Sequence, residues 1–177
     1  VYGERFKLTD AESKFSDPQV KAAPSVDFVK FSKLLKGRMD FNPLCERLQE
    51  IWNNCHPRDQ LQVAANIIIQ VVQFRRCPAA VNQNLLNVVR ECAELLSESV
   101  PSMKRGYIAR VAEGFGLLYY KHDKLMSEIG NHILSDKSLK LEAHHSARIL
   151  LGFANLNINN PELIDDLLNR LASHDRF

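Results

Sequence analysis

At 177 residues the chain is long enough for one domain with a full core, and 45% apolar with 25% charged residues is an ordinary globular balance. Seven Gly and seven Pro, with few β-formers such as Thr and Tyr, favour helix over sheet. A net charge of +2 is too mild to specify a nucleic-acid partner by itself, and no run of 18 apolar residues exists to cross a membrane.

Residues 1–24 are polar, carry Pro18 and Pro24, and show no sustained period, so they read as an arm. The chain opens on Val1 without a signal-peptide pattern, as expected of either a trimmed segment or a mature form that has lost a targeting peptide. Ser25 is placed to cap a helix, with Val26, Phe28, Val29, Phe31, Leu34 and Leu35 as its apolar stripe. Asn42–Pro43 signals the next start, followed by Leu44, Leu48, Ile51 and Trp52 on one face. His56–Pro57 ends that segment.

The third helix is expected over about 58–76 and is apolar nearly all round, which marks a central buried helix. Cys77–Pro78 punctuates, and a fourth helix follows over 79–98. Pro101 opens the fifth, about 102–120. Asp123 is placed to cap the sixth, 123–135. The seventh runs over 140–156, and Asn160–Pro161–Glu162 opens the eighth, which ends near Ser173.

These segments repeat. Ala147, Ile149 and Phe153, then Leu163, Leu167 and Leu171, echo Ala109, Val111 and Phe115, then Leu125, Ile129 and Ile133, at a step of 38. A further step of 44 reaches Ala65, Ile67 and Val71, then Val81, Leu85 and Val89. A fainter copy holds Phe28, Phe31 and Leu34, then Leu44, Leu48 and Trp52. Periods of roughly 20–50 residues are the mark of repeat architectures. The expected fold is all-α: an α-solenoid of about four antiparallel helical pairs over 25–177, preceded by the polar arm. Gly114 and Gly152 fall at one repeat position, where small residues let helices approach.

The stretch Ser146–Leu171, with its Ala-rich first helix, its Gly152-Phe153-Ala154 turn-side motif and its Pro161-Glu162-Leu163 restart, resembles the helical-pair repeats of organellar RNA-metabolism proteins. These are the octotricopeptide and heptatricopeptide repeats and the repeats that precede RAP domains. Ile108–Leu118 is a second match, departing from the pattern at Tyr119-Tyr120-Lys121-His122. The resemblance implies a mitochondrial or other organellar matrix protein (otherwise a cytoplasmic one) that binds RNA or acts as a scaffold in RNA-processing or ribosomal complexes.

The candidate RNA contacts follow from the repeat. Equivalent positions of a solenoid fall in rows, and Arg75, Arg76, Lys104, Arg105, Arg110, Lys121, Lys124 and Arg148 supply cations for phosphates. Tyr119 and Tyr120 supply rings for bases. The bland alternative is a solvated rim. Residues 101–150 carry eight Lys/Arg against five Asp/Glu, and 151–177 carry two against four, so the basic character is local.

Other chemistry finds little support. Gly114-Phe115-Gly116 lacks a preceding strand and the continuation that cradles phosphate. His144-His145 diverge by about 100° around a helix, which disfavours one shared metal, and leaves one ring in solvent and one at an interface. Cys45, Cys55, Cys77 and Cys92 have no metal-ligand spacing and read as reduced buried thiols. No enzyme, cofactor or metal is expected. Two functions remain open: an RNA-associated scaffold in an organellar complex, and a pure protein–protein scaffold of armadillo or HEAT type. The partners are accordingly other subunits, RNA, or both, and no membrane.

Overall fold

The computed structural model describes residues 40–74 and 78–174. The expected arm, the helix capped by Ser25, Arg75, Arg76 and Cys77 lie outside the described residues. What is described is all-helical, with no strand. Helix α1 spans Phe41–Asn53, α2 Gln60–Phe74, α3 Gln83–Ser99 and α4 Arg105–Leu117. Helix α5 spans Asp123–Ser135, α6 Ala143–Asn155 and α7 Pro161–His174. Short 3-10 turns at Pro57–Asp59, Ala79–Val81 and Val100–Ser102 precede α2, α3 and α4.

Helices α3, α4 and α6 start at Gln83, Arg105 and Ala143, three or four residues later than expected, and two of the caps differ from expectation. Helix α1 begins at Phe41, and Leu44 N–H bonds Asp40 O at 3.1 Å, so Asn42–Pro43 falls inside the first turn. Asn42 instead accepts from Asn82 at 2.9 Å. Helix α5 is capped by His122, whose Nδ1 accepts from Leu125 N–H at 3.1 Å, and Asp123 is the first helical residue. Asn160 caps α7 as its type predicts, accepting from Leu163 N–H at 3.2 Å.

The contacts run in two rows. Helices α2, α4 and α6 touch in series, and so do α1, α3, α5 and α7. Contacts of α2 with α3, of α4 with α5 and of α6 with α7 join the rows. Between them lies one core from Leu44 to Leu167. In α2, residues 61, 63–65, 67–69, 71 and 72 are all buried, which is what an all-round apolar helix requires. Phe115 and Phe153 are both buried, at matching positions of α4 and α6. Among the described residues a backbone bond joins distant elements: Ala79 N–H donates to Leu118 O at 2.8 Å, satisfying a carbonyl at the end of α4.

Glycine sets the spacing of the α2–α4–α6 row. A Cβ on Gly114 would lie 2.6 Å from Ile68 Cγ2 and 3.2 Å from Ile68 O. A Cβ on Gly116 would lie 2.6 Å from Gly152 Cα, and one on Gly152 would collide with Ala112 O. At the α4–α6 crossing backbone thus meets backbone, closer than any side chain permits, while at the α2–α4 crossing the Ile68 methyl is nearest and its carbonyl lies just behind. Gly114 and Gly152 are 38 residues apart, and the carbonyls they approach, Ile68 and Ala112, are 44 apart. Those are the two steps of the sequence repeat.

Candidate functional site

The loop from α4 to α5 carries the aromatic and basic residues singled out above, and the end of α4 fixes its geometry. Leu118 N–H bonds Gly114 O at 2.9 Å, Tyr119 N–H bonds Gly116 O at 3.2 Å, and Tyr120 N–H bonds Phe115 O at 3.2 Å. With Tyr119 at φ 50°, this is a Schellman ending. The end of α6 repeats it: Leu156 to Gly152 at 3.3 Å, Asn157 to Ala154 at 3.0 Å, Ile158 to Phe153 at 3.0 Å, with Asn157 at φ 51°. The bonds match pair by pair at the 38-residue step.

The two left-handed positions differ in chemistry. Asn tolerates that region through its short polar side chain. A tyrosine there carries a backbone cost of about 1–2 kcal/mol. The residue is 61% exposed, so packing offsets little of that cost. Strain held by an exposed aromatic is a reason to look for a contact. Tyr120 is different: its ring packs on Phe115, centroids 6.2 Å apart, as the apolar pair that accompanies this ending. Of the two tyrosines, Tyr119 is exposed and Tyr120 partly buried.

Each cation of this loop meets an acid. Lys121 lies 3.4 Å from Asp123, and Lys124 lies 3.5 Å from Glu98. His122 meets Glu94 at 3.0 Å. Because His122 Nδ1 accepts from a backbone N–H, its Nε2 carries the proton given to Glu94. That bond, and secondarily the Lys124 charge, holds Glu94 below the usual carboxylate range. Glu94 and Glu98 stand one turn apart on α3 and face the loop together.

The remaining cations lie elsewhere. Arg105 starts α4 and binds Lys140 O at 2.6 Å and Glu142 at 2.7 Å, tying α4 to the approach of α6. Lys104 is exposed beside it. Both are a full helix, about 18 Å, from Tyr119. Arg148 of α6 meets Glu113 of α4 at 3.7 Å, and Arg110 lies one turn before Glu113. Arg110 is half-buried and has no ion pair among the described residues. The chain therefore brings Tyr119, Lys121 and Lys124 together, and Arg110 with Arg148, while Lys104 and Arg105 mark the opposite end of α4. The partner acids had one visible signal, the four-residue spacing of Glu94 and Glu98.

Glu142, His144 and His145 place their ligand atoms within 4.8 Å of one another, a cluster that could hold a metal ion. The rings of His144 and His145 are 3.9 Å apart, nearer than the angular spacing on a helix suggests, with His144 exposed and His145 buried. The group's own bonds oppose a cation. His145 Nδ1 accepts from Glu142 N–H at 3.2 Å, so Nε2 holds the proton and offers no lone pair. Arg105 occupies the Glu142 carboxylate. Burial first, then His144, Arg105 and Arg148, push His145 down to about 4 despite the opposing pull of Glu142. These contacts describe a helix cap.

Cys45, Cys55 and Cys92 are buried. Burial pushes Cys55 up to about 11, helped by Asp59, and raises Cys92 further from reactivity. No described helix is long and apolar enough to cross a membrane. No protein-family model, curated protein or solved structure matches the chain.

Proposed function

We propose that the chain is a non-catalytic helical-repeat scaffold, an α-solenoid of antiparallel pairs whose contacts are with other protein subunits. One observation carries the reading. Arg105, Lys121, Lys124 and Arg148, four of the cations that would face phosphate, are each engaged with a carboxylate. A phosphate would have to compete with an acid at every one of them. The glycine crossings support the repeat reading, since both close contacts recur at the repeat steps. The organellar setting rests on the resemblance of Ser146–Leu171 to organellar repeats.

The experiment is an affinity purification with and without nuclease, beside single-strand RNA binding at two salt concentrations. Protein partners that survive nuclease, with no salt-dependent RNA binding, are the expected result. Binding that falls steeply with salt, as counterion release requires, would overturn it.

A second reading, the RNA-associated scaffold, is favoured by Tyr119 alone: an exposed ring in a strained backbone, beside Lys121 and Lys124. On that reading Tyr119→Ala costs about 1–3 kcal/mol of RNA affinity, and reversing Lys121 and Lys124 together abolishes binding without unfolding.

A further inference from the structure

Of the two arginines on the shared outer face of α4 and α6, one lacks a counter-charge. Gly106 of α4 faces His145 of α6, and Glu113 faces Gly152. Both pairs are 39 residues apart, so the two helices run parallel. That offset sets Arg110 level with Ile149, one residue past Arg148. Arg110 and Glu113 lie on the less buried stripe of α4, and Arg148 lies on that of α6. Two guanidinium groups therefore stand beside one carboxylate, and it is taken: Glu113 meets Arg148 at 3.7 Å. Arg110 is half-buried and has no ion pair or hydrogen bond among the described residues.

A guanidinium that is partly withdrawn from water and engages no acceptor costs stability until an acceptor arrives. Its planar fork suits a carboxylate, which it can hold by two parallel bonds. We infer that Arg110, with Arg148 beside it, receives the carboxylate of an Asp or Glu in a peptide segment lying across the outer face of α4 and α6. An RNA strand fits this place less well. Successive phosphates need successive cations, and the cation one turn and more before Arg110, Arg105, is held by Glu142. Glu113 stands on the other side. A polyanion would have to pass two carboxylates, whereas a single acidic side chain fits between them. Further helices at either end of the rows would lengthen this face rather than cover it, so the place is open whatever the number of repeats.

The inference rests on the protein-scaffold reading and is tested separately from it. The probe is a capped Gly-Ser peptide with a single Glu, and the same peptide with Gln in its place is the control. Both are titrated into the isotope-labelled full chain, and the arginine Nε–H resonances are followed. The Arg110 resonance should shift to saturation with the Glu peptide, and the Gln peptide should bind about tenfold more weakly, as loss of a charge-assisted bond requires. The resonance of Arg90, which is exposed on α3, should stay in place. Backbone amides of α4 report the variants. Arg110→Gln should weaken the Glu peptide about tenfold, Arg110→Lys should weaken it because a point charge replaces the fork, and Glu113→Gln should tighten it by freeing Arg148. Circular dichroism melts check that each variant is folded, and if Arg110→Gln is not, the Arg110→Lys loss and the Glu113→Gln gain still decide. An Arg110 resonance that does not move, equal shifts at Arg110 and Arg90, equal affinity for the two peptides, unchanged affinity with Glu113→Gln, or tighter binding of a uridylate oligomer at Arg110 overturns the inference. Nuclease-resistant partners recovered equally by the parent and by Arg110→Gln would leave the scaffold reading standing and remove only this site.

Discussion

Two residues hold conformations or charge states that cost stability, and each makes a prediction. Tyr119 occupies the left-handed region at φ 50° with its ring in water. Glycine adopts that region without the Cβ penalty. Tyr119→Gly should therefore raise unfolding stability by about 1 kcal/mol, read from urea denaturation. Asn157→Gly should change it far less. If Tyr119 is also a contact for RNA, the same variant gains stability and loses binding. His145 makes the second prediction. Its folded pKa, about 4, lies below the ordinary 6.5. Protons therefore favour the unfolded chain, and stability present above pH 6.5 is lost as pH falls toward 4. His145→Gln keeps an acceptor for Glu142 N–H, as Gln does at this helix position. Its denaturation midpoint should be flatter across that window, and a parent midpoint constant from pH 6.5 to 4 would remove the argument.

At the scale of elements, the crossings decide. Ala in place of a helical Gly gains up to about 1 kcal/mol of propensity. At Gly152 the new methyl would meet the Ala112 carbonyl, and backbone cannot step aside as a side-chain end can. Overpacking of this kind costs about 1–3 kcal/mol or more. Gly152→Ala should therefore lower stability. Gly130→Ala, whose methyl would make ordinary contacts at 3.4 and 3.5 Å, should hold or raise it. Equal effects at the two sites would refute the close crossing. The elements were legible because apolar period and repeat step agree: the apolar residues of α2 from Leu61 to Val72 are buried, and Phe115 and Phe153 are core residues. The caps were less so. Imidazole is outside the usual cap types, which hid His122, and Asn42–Pro43 pointed two residues past Asp40. The loop's cations were visible but their acids were not, because Glu94 and Glu98 meet them only through the α3–α5 contact. Sequence spacing carries no information about which rim meets which.

At the scale of the molecule, each described helix touches near neighbours in its own row and in the facing one. Stability in such an arrangement is a sum of local and nearest-neighbour contributions. Phe115 and Phe153 occupy matching positions, and truncating either to Ala should cost about 3–5 kcal/mol. The damage should spread differently. Helix α4 contacts α2, α5 and α6, whereas α6 is joined to α4 and α7. Hydrogen exchange in Phe115→Ala should accelerate from α2 through α6. In Phe153→Ala it should accelerate chiefly in α6 and α7. A uniform acceleration in both would mean that the chain opens only as a whole.

The ending of α4 has a last consequence, for proteases. Tyr119 offers an exposed aromatic ring of the kind a chymotrypsin-like pocket accepts. Its backbone does not follow: the N–H groups of Leu118, Tyr119 and Tyr120 are all bonded back into α4. A cleft that needs extended chain must wait for this turn to open, so cutting should track the opening equilibrium rather than side-chain exposure. The exposed tyrosine of this loop is thereby a poor place to nick the chain.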